Sequence, residues 1–289
     1  MITPEQHAWI HAQAYVPEHC VNLMTLVSGG EPFLIDDYFC CRAGDALIVV
    51  GYPLGREFES QALEAALNRM IQRFKPKRLS LAAPDTPRSF ANSCVERETD
   101  QYYTLDLSTL AIPSGLRRAL AKAARNLLIE GGNALSDAHA ELAREFVGLV
   151  NPPARVKALL FRMWDYVGAT DDSLVLSAWA HDGKLAAFYV VDFSAARFST
   201  YVIGCHSKKS YVSGASDLLA SEMIRLSRDG GKQYIHLGLG VNQGIRRFKE
   251  KWGGAPSMNY VMCEFLVRRP SFLGAIVGYT VHETESGKW

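Results

Sequence analysis

The sequence has no long hydrophobic run, no surplus of charge of either sign and no spaced pairs of cysteines. Each absence excludes something. No apolar run reaches the ~18 residues that a membrane-spanning helix needs, so no span is expected. The 31 lysines and arginines stand against 30 aspartates and glutamates, a net charge of +1. No global field draws such a chain to nucleic acid or an anionic surface, and any contact of that kind has to use a local patch. The six cysteines (Cys20, Cys40, Cys41, Cys94, Cys205 and Cys263) show no metal-ribbon spacing. Cys205 and Cys263 sit in apolar runs, where a thiol acts as a small hydrophobe. This usage reads as reduced thiols and a cytoplasmic location. The opening MITPEQHAW is acidic and lacks a basic-then-apolar run, so it does not read as a signal peptide. His7 and His11 share a helix face, but the glutamate of a metalloprotease motif is missing, and no metal is expected. Phosphate loops are missing too. Gly51-Tyr-Pro-Leu-Gly55 carries a proline that removes a donor amide. Gly238-Leu-Gly-Val-Asn-Gln-Gly244 is one residue too long for a dinucleotide loop and follows a meander.

What is present is an ordinary globular composition, 48% hydrophobic and 21% charged over 289 residues, enough for one large domain or two modest ones. Hydrophobic periodicity and turn residues predict strands at Val21–Val27, Phe33–Cys41 and Ala46–Tyr52, a helix at Phe58–Phe74, and strands at Arg78–Ala83 and Gln101–Leu107. Helices follow at Pro113–Ile129, Ser136–Leu149 and Pro153–Tyr166. The first of these carries Arg117, Arg118, Lys122 and Arg125 on one face, either a solvated face or a patch for an acidic cofactor or an RNA acceptor stem. Strands at Ser173–Ala180, Lys184–Ser194 and Arg197–Gly204 form a meander, with His181-Asp-Gly183 as a hairpin turn. Pro270–Val281 is a last apolar helix or strand. The pattern is mixed α/β.

The stretch Ser207–Pro256 organises the rest. It reads as a helix over Ser213–Arg228 with Leu219, Met223 and Leu226 on its apolar face, closed by Gly230-Gly231. A buried strand Tyr234–Leu239, a glycine-rich loop and a short helix capped by Asn242 follow. In that last helix Ile245, Phe248 and Trp252 are expected inside, with Arg246, Arg247, Lys249 and Lys251 outside. A strand Asn259–Val267 ends the core.

These residues (Ser213-Gly214 with Leu218-Leu219, Gly230, Leu237-Gly238, and Arg247-Phe248-Lys249 with Trp252-Gly253-Gly254) resemble the C-terminal half of GNAT-type acyltransferases. More closely, the chain is similar to tandem-GNAT proteins of the FemABX kind and their lysyltransferase-like relatives. The resemblance implies a tandem GNAT-like fold with a degenerate first repeat over 1–110 and a second over 111–289. The second would have a helical lead-in, 113–170, and then the order β-β-β-α-β-α-β.

The resemblance also implies an N-acyltransferase. The donor it implies is an acyl-CoA or other acyl thioester, with aminoacyl-tRNA or an acyl carrier protein as alternatives. The acceptor would be a small-molecule or peptide amine. A neutral overall charge leans toward the thioester, and a non-catalytic ligand- or partner-binding scaffold is the reading from another class. In GNAT domains the donor's pyrophosphate lies on amides at a helix N-terminus, which suits anions. Lys209, Ser213, Gly214, Ala215 and Ser216 correspond here, with Asn242 and Arg247 nearby. Tyr211 stands where the family has Gln or Arg, and Asp217 adds a negative charge. Lys249 matches the family's lysine and is implied to stabilise developing negative charge. His236 is a candidate base from its titration range. Asp192 is another, a carboxylate interrupting an apolar strand.

Overall fold

A computed structural model describes residues 1–267. The helix α1 (Pro4–Gln13) starts with a reciprocal cap between Thr3 and Gln6. A 3-10 turn at Pro17–His19 leads into α2 (Val21–Ser28), followed by strands β1 (Glu31–Ile35), β2 (Tyr38–Ala43) and β3 (Ala46–Val50). Next come α3 (Ser60–Phe74), β4 (Arg78–Ala83), the short α4 (Arg88–Ala91), β5 (Cys94–Asp106), α5 (Ser114–Ala123) and β6 (Leu127–Gly132). The remaining elements are α6 (Asp137–Val150), α7 (Ala154–Ala169), β7 (Ser173–Ala180), β8 (Leu185–Asp192), β9 (Phe198–His206), α8 (Ala215–Asp229), β10 (Tyr234–Leu239), α9 (Gln243–Lys251) and β11 (Ala255–Leu266).

All eleven strands form one mixed sheet in the order β1-β2-β3-β4-β11-β5-β10-β9-β8-β7-β6. Two parallel pairs mark its two halves. Strand β3 reaches β4 through the crossover helix α3, and β9 reaches β10 through α8. The halves exchange their last strands. β11, from late in the chain, lies between β4 and β5, while β5 lies beside β10. The sheet therefore crosses residue 110. Helices cover both faces. α3 buries Leu63, Ala66, Leu67 and Met70, the face its period predicts. α8 buries Leu219, Ala220, Met223 and Ile224 against β7, β8 and β10.

Several local expectations change. Val21–Val27 is helical. A short apolar run does not distinguish strand from helix, and Gly29 closes α2 with φ +63°. Phe33–Cys41 is a hairpin that turns at Asp36, φ +52°. The helix predicted to run to Ile129 stops at Ala123, because Leu127–Gly132 pairs with β7 as an outer strand. The predicted Pro270–Val281 element lies outside the described residues.

Candidate functional site

The ladder between β9 and β10 joins Tyr234, Ile235 and His236 to Phe198, Ser199 and Thr200 and then stops, although both strands continue. The pairing of β10 with β5 is irregular at the same place, between His236 and Leu239, where Gly238 takes φ +72°. The centre of the sheet is thus interrupted beside His236.

The loop after β10 is pinned by Asp100 of β5. Its carboxylate accepts the Val241 amide at 2.7 Å and pairs with Arg246 at 3.5 Å. A Cβ on Gly240 would lie 2.7 Å from the Arg246 Nε and 2.8 Å from the Asp100 Oδ1, so a side chain there would force those two apart. Val241 is held at φ +55°, a strained conformation for a β-branched residue. The Asn242 side chain accepts the Ile245 amide and so caps α9.

Sequence periodicity turns Lys249 outward; the structure buries it, 4% exposed. Its Nζ donates to the Leu239 carbonyl at 2.5 Å and lies over the Tyr103 ring at 5.5 Å. Ile245, expected inside, is exposed. The glycine pair after Trp252 accounts for this. Gly253 takes φ +88°, and the Trp252 and Gly254 amides both donate to the Lys249 carbonyl. A Cβ on Gly254 would meet Leu237 at 2.7 Å. The helix end closes on Lys249 itself. Burial lowers the Lys249 pKa to about 7, with Asp100 pulling the other way. Tyr103 also lines a cleft of about 240 Å³ with Thr99, Asp100, Gln101 and Arg246.

His236 is fully buried, and burial followed by the Lys249 charge lowers its pKa to about 3. Its Nδ1 accepts the Gly238 amide at 3.2 Å. A neutral imidazole with Nδ1 accepting carries its proton on Nε2, and that nitrogen has no partner. The ring therefore offers a donor, and the base assigned from sequence becomes a hydrogen-bond donor.

Asp192 is placed elsewhere. It ends β8 opposite Thr200, which in turn pairs with His236, so two strand spacings separate it from the ring. One carboxylate oxygen accepts the Tyr166 hydroxyl, and the other takes the Ser194 amide at 3.0 Å and hydroxyl at 2.7 Å. With both oxygens in use, the carboxylate ties α7 to the β8–β9 turn.

The family pattern at the start of α8 can be tested for coenzyme A. The cap is Gly214, φ +86°, and not Ser213. The amides of Lys208 and Lys209 already donate to Glu145 of α6, at 2.6 and 3.0 Å, and the Ser207 hydroxyl joins them at 3.0 Å. Burial alone would raise the Glu145 pKa, but these donors outweigh it and hold the group below the usual carboxylate range. A Cβ at Gly214 would lie 2.7 Å from Ala123 of α5, so that helix fills the space over the cap. Asp217 occupies the first turn of α8 and is held by Lys251 and by the Trp252 Nε1–H. The Lys209 amide at the start of the loop is thus taken by a protein carboxylate, and a second acid stands in the first turn of the helix; both weigh against a pyrophosphate there. Ala215 is buried, while Lys209, Ser213 and Arg247 are exposed.

Similar architecture occurs among solved structures. FemX superposes with a TM-score of 0.61 at 9% identity, covering 97% of this chain and 98% of FemX. The L-PGS of Bacillus licheniformis gives 0.58 at 14%, covering 98% of each chain. A tandem GNAT protein from the clavulanic acid biosynthesis pathway gives 0.52 at 13%, covering 91% of this chain and 95% of that one. The fold is a tandem GNAT fold. What is shared at such identities is the fold, and no protein family and no curated protein matches the sequence. Among the described residues, no helix is long and apolar enough to cross a membrane, and no group of three or more His, Cys, Asp or Glu could hold a metal ion.

Sequence reasoning missed Asp100, Glu145, Glu18 and Tyr102. Each acts across elements far apart in the chain. A lone acid in AYVPEHCV, beside His19 in a largely apolar stretch, is the one signal that could have found Glu18.

Proposed function

We propose that this chain is an acyl- or aminoacyl-transferase that moves its group from a carried ester to an amine, with Lys249 at the centre of the reaction. The observation that carries the reading is a lysine buried in a tandem GNAT fold, its pKa lowered to about 7, held beside an interrupted sheet and an open cleft. Near neutrality half of such a lysine is uncharged, which suits a general base.

In this reading the Lys249 Nζ accepts a proton from the attacking amine. The carbonyl oxygen gains charge as the new C–N bond forms, and the His236 Nε2–H donates to it. When the C–O bond breaks, the Lys249 ammonium returns its proton to the leaving oxygen. Asp100 holds the loop that positions Lys249, and the glycine pair fixes its backbone.

The donor is read as aminoacyl-tRNA and not as coenzyme A. An acid at each end of the pyrophosphate loop, Glu145 and Asp217, weighs against the thioester favoured by overall charge. α5 exposes Arg117, Arg118 and Lys122, with Arg125 just beyond it. Among the described residues none of these four forms an ion pair. Lys208 and Lys209 line a second cleft, about 410 Å³, with Arg144. Unpaired cations of this kind serve phosphate-backbone contact.

The test is a melting and binding titration of the whole chain with coenzyme A, acetyl-CoA, uncharged tRNA and a charged tRNA pool. It is run beside an assay for label moving from charged tRNA into an amide. The expected result is salt-dependent binding of tRNA, no shift with coenzyme A, and transfer of label. Saturable binding of coenzyme A without binding of tRNA overturns the donor assignment.

A further inference from the structure

Transfer chemistry at Lys249 and His236 leaves one buried polar cluster unused. The 3-10 turn Pro17–His19 sets Glu18 against the sheet beside the Tyr102 hydroxyl of β5; burial pushes the carboxyl's pKa up, and Tyr102 pulls it partly back. Tyr52 and Tyr260 stand round the same group, their rings 5.7 and 5.2 Å from the Tyr102 ring. The Tyr102 ring meets His236 edge-on at 4.7 Å. Tyr52 is satisfied, its hydroxyl donating to the Asn259 carbonyl at 2.7 Å. Glu18 Oε2, Tyr102 OH and His236 Nε2 are all buried without a partner. Tyr102 is 1% and His236 0% exposed.

Buried polar atoms are nearly always paired. Three orphans in one cluster, one of them on a carboxylate ringed by tyrosines, mark a place completed by something outside the chain. An anion is excluded by the carboxylate, and a neutral alcohol brings a single donor. A primary ammonium brings three donors and a positive charge. It suits the carboxylate, the Tyr102 hydroxyl and the aromatic rings together. The His236 Nε2–H, a donor itself, is left for the acyl carbonyl oxygen.

We propose that Glu18, with Tyr52, Tyr102 and Tyr260 around it, seats the acceptor substrate, and that this acceptor is a primary ammonium compound, which gives one proton to the Glu18 carboxylate and so becomes the free amine that attacks. That the ammonium is an acceptor rests on the transferase reading; that the site takes an ammonium rests on the orphaned groups alone.

The experiment titrates the full chain with n-butylammonium chloride, and with n-butanol as its neutral counterpart, by calorimetry and by melting temperature. Saturable binding of the ammonium is expected, with butanol at least about tenfold weaker. Glu18→Gln should lose at least about tenfold in affinity and, without amine, melt at the same temperature or higher, because burial already disfavours the charged carboxylate it replaces. Tyr102→Phe should keep the packing and bind several-fold more weakly. Absence of saturable ammonium binding in the natural chain, equal binding of butanol, or undiminished affinity in Glu18→Gln overturns the proposal. If Glu18→Gln does not fold, undiminished affinity in Tyr102→Phe does the same. Ammonium binding with no label transferred from any donor leaves this site standing and removes the transferase reading.

Discussion

Strand β9 separates two buried polar groups that follow opposite rules. On one side Asp192 has both oxygens in use, by Tyr166 and Ser194, and Lys232 stays nearby, spending its ammonium on the carbonyls of Phe193 and Ala195. On the other side His236, Tyr102 and Glu18 each keep an atom without a partner, and Lys249 is buried at a lowered pKa. Both groups read alike in sequence, as a charged or titratable residue inside an apolar strand or amphipathic helix. Satisfaction separates them. A saturated carboxylate holds elements together, whereas orphaned donors and acceptors await a substrate.

The comparison can be broken by mutation. The largest effect is expected for Lys249→Ala. Transfer should fall by about 10²–10⁴-fold, while the melting temperature holds or rises because a buried ammonium has been removed. Single-turnover rates and a melt on the same sample check this. A lysine serving only structure would give the reverse.

Asp192→Ala should do the opposite. Removing it leaves the Tyr166 and Ser194 donors unpaired at a cost of about 2–4 kcal/mol. Urea midpoints should drop, and turnover per folded molecule should not change.

The two sides also differ with pH. Transfer through a neutral Lys249 should rise with pH and level off above an apparent pKa of about 7. Stability has its own windows. His236 has a pKa of about 3 when folded against an ordinary 6.5, so the unfolded chain binds more protons between them. Stability is therefore lost as pH falls from 6.5 to 3, at up to about 1.4 kcal/mol per pH unit from this group. For Lys249 the same sign applies between about 7 and 10.5, and Lys249→Met should remove that alkaline rise in urea midpoints measured across the window.

The smallest effect is expected at the loop before α8. Glu145→Gln loses charge-assisted bonds to Lys208 and Lys209 and should cost about 1–2 kcal/mol. It should not create affinity for coenzyme A, because Ala123 still covers Gly214. Calorimetry on the variant would show whether the carboxylate alone keeps the loop from a phosphate.

Elements with a long, clean period were legible in the sequence. α3, α8 and β10 fall where their apolar spacing and their closing Pro76 or glycines put them, and the strand-helix order from β7 to β11 came with the resemblance. Short apolar runs were not. Val21–Ser28 satisfies a strand pattern locally and is made helical by its neighbours, and β6 was absorbed into the helix before it. The reach of Lys249 was misjudged because Ile245, Phe248 and Trp252 were taken as the anchors. The glycine pair after Trp252 shapes the helix end that buries it, and its side-chain partners, Leu239 and Tyr103, lie on no helical wheel. Glu18 and Tyr102 meet only through the tertiary fold, so neither could be paired from sequence.

The exchange of β5 and β11 also bears on how the chain is made. β4 gains its neighbour on one side only when β11, residues 255–266, has been synthesised. At ordinary rates of synthesis the wait after residue 110 lasts roughly ten to thirty seconds. Throughout it, β4 presents a row of unpaired amides and carbonyls, an edge open to any other strand. The first half to leave the ribosome is therefore the last to be completed. That edge is a place where two unfinished copies could pair until the final strand arrives.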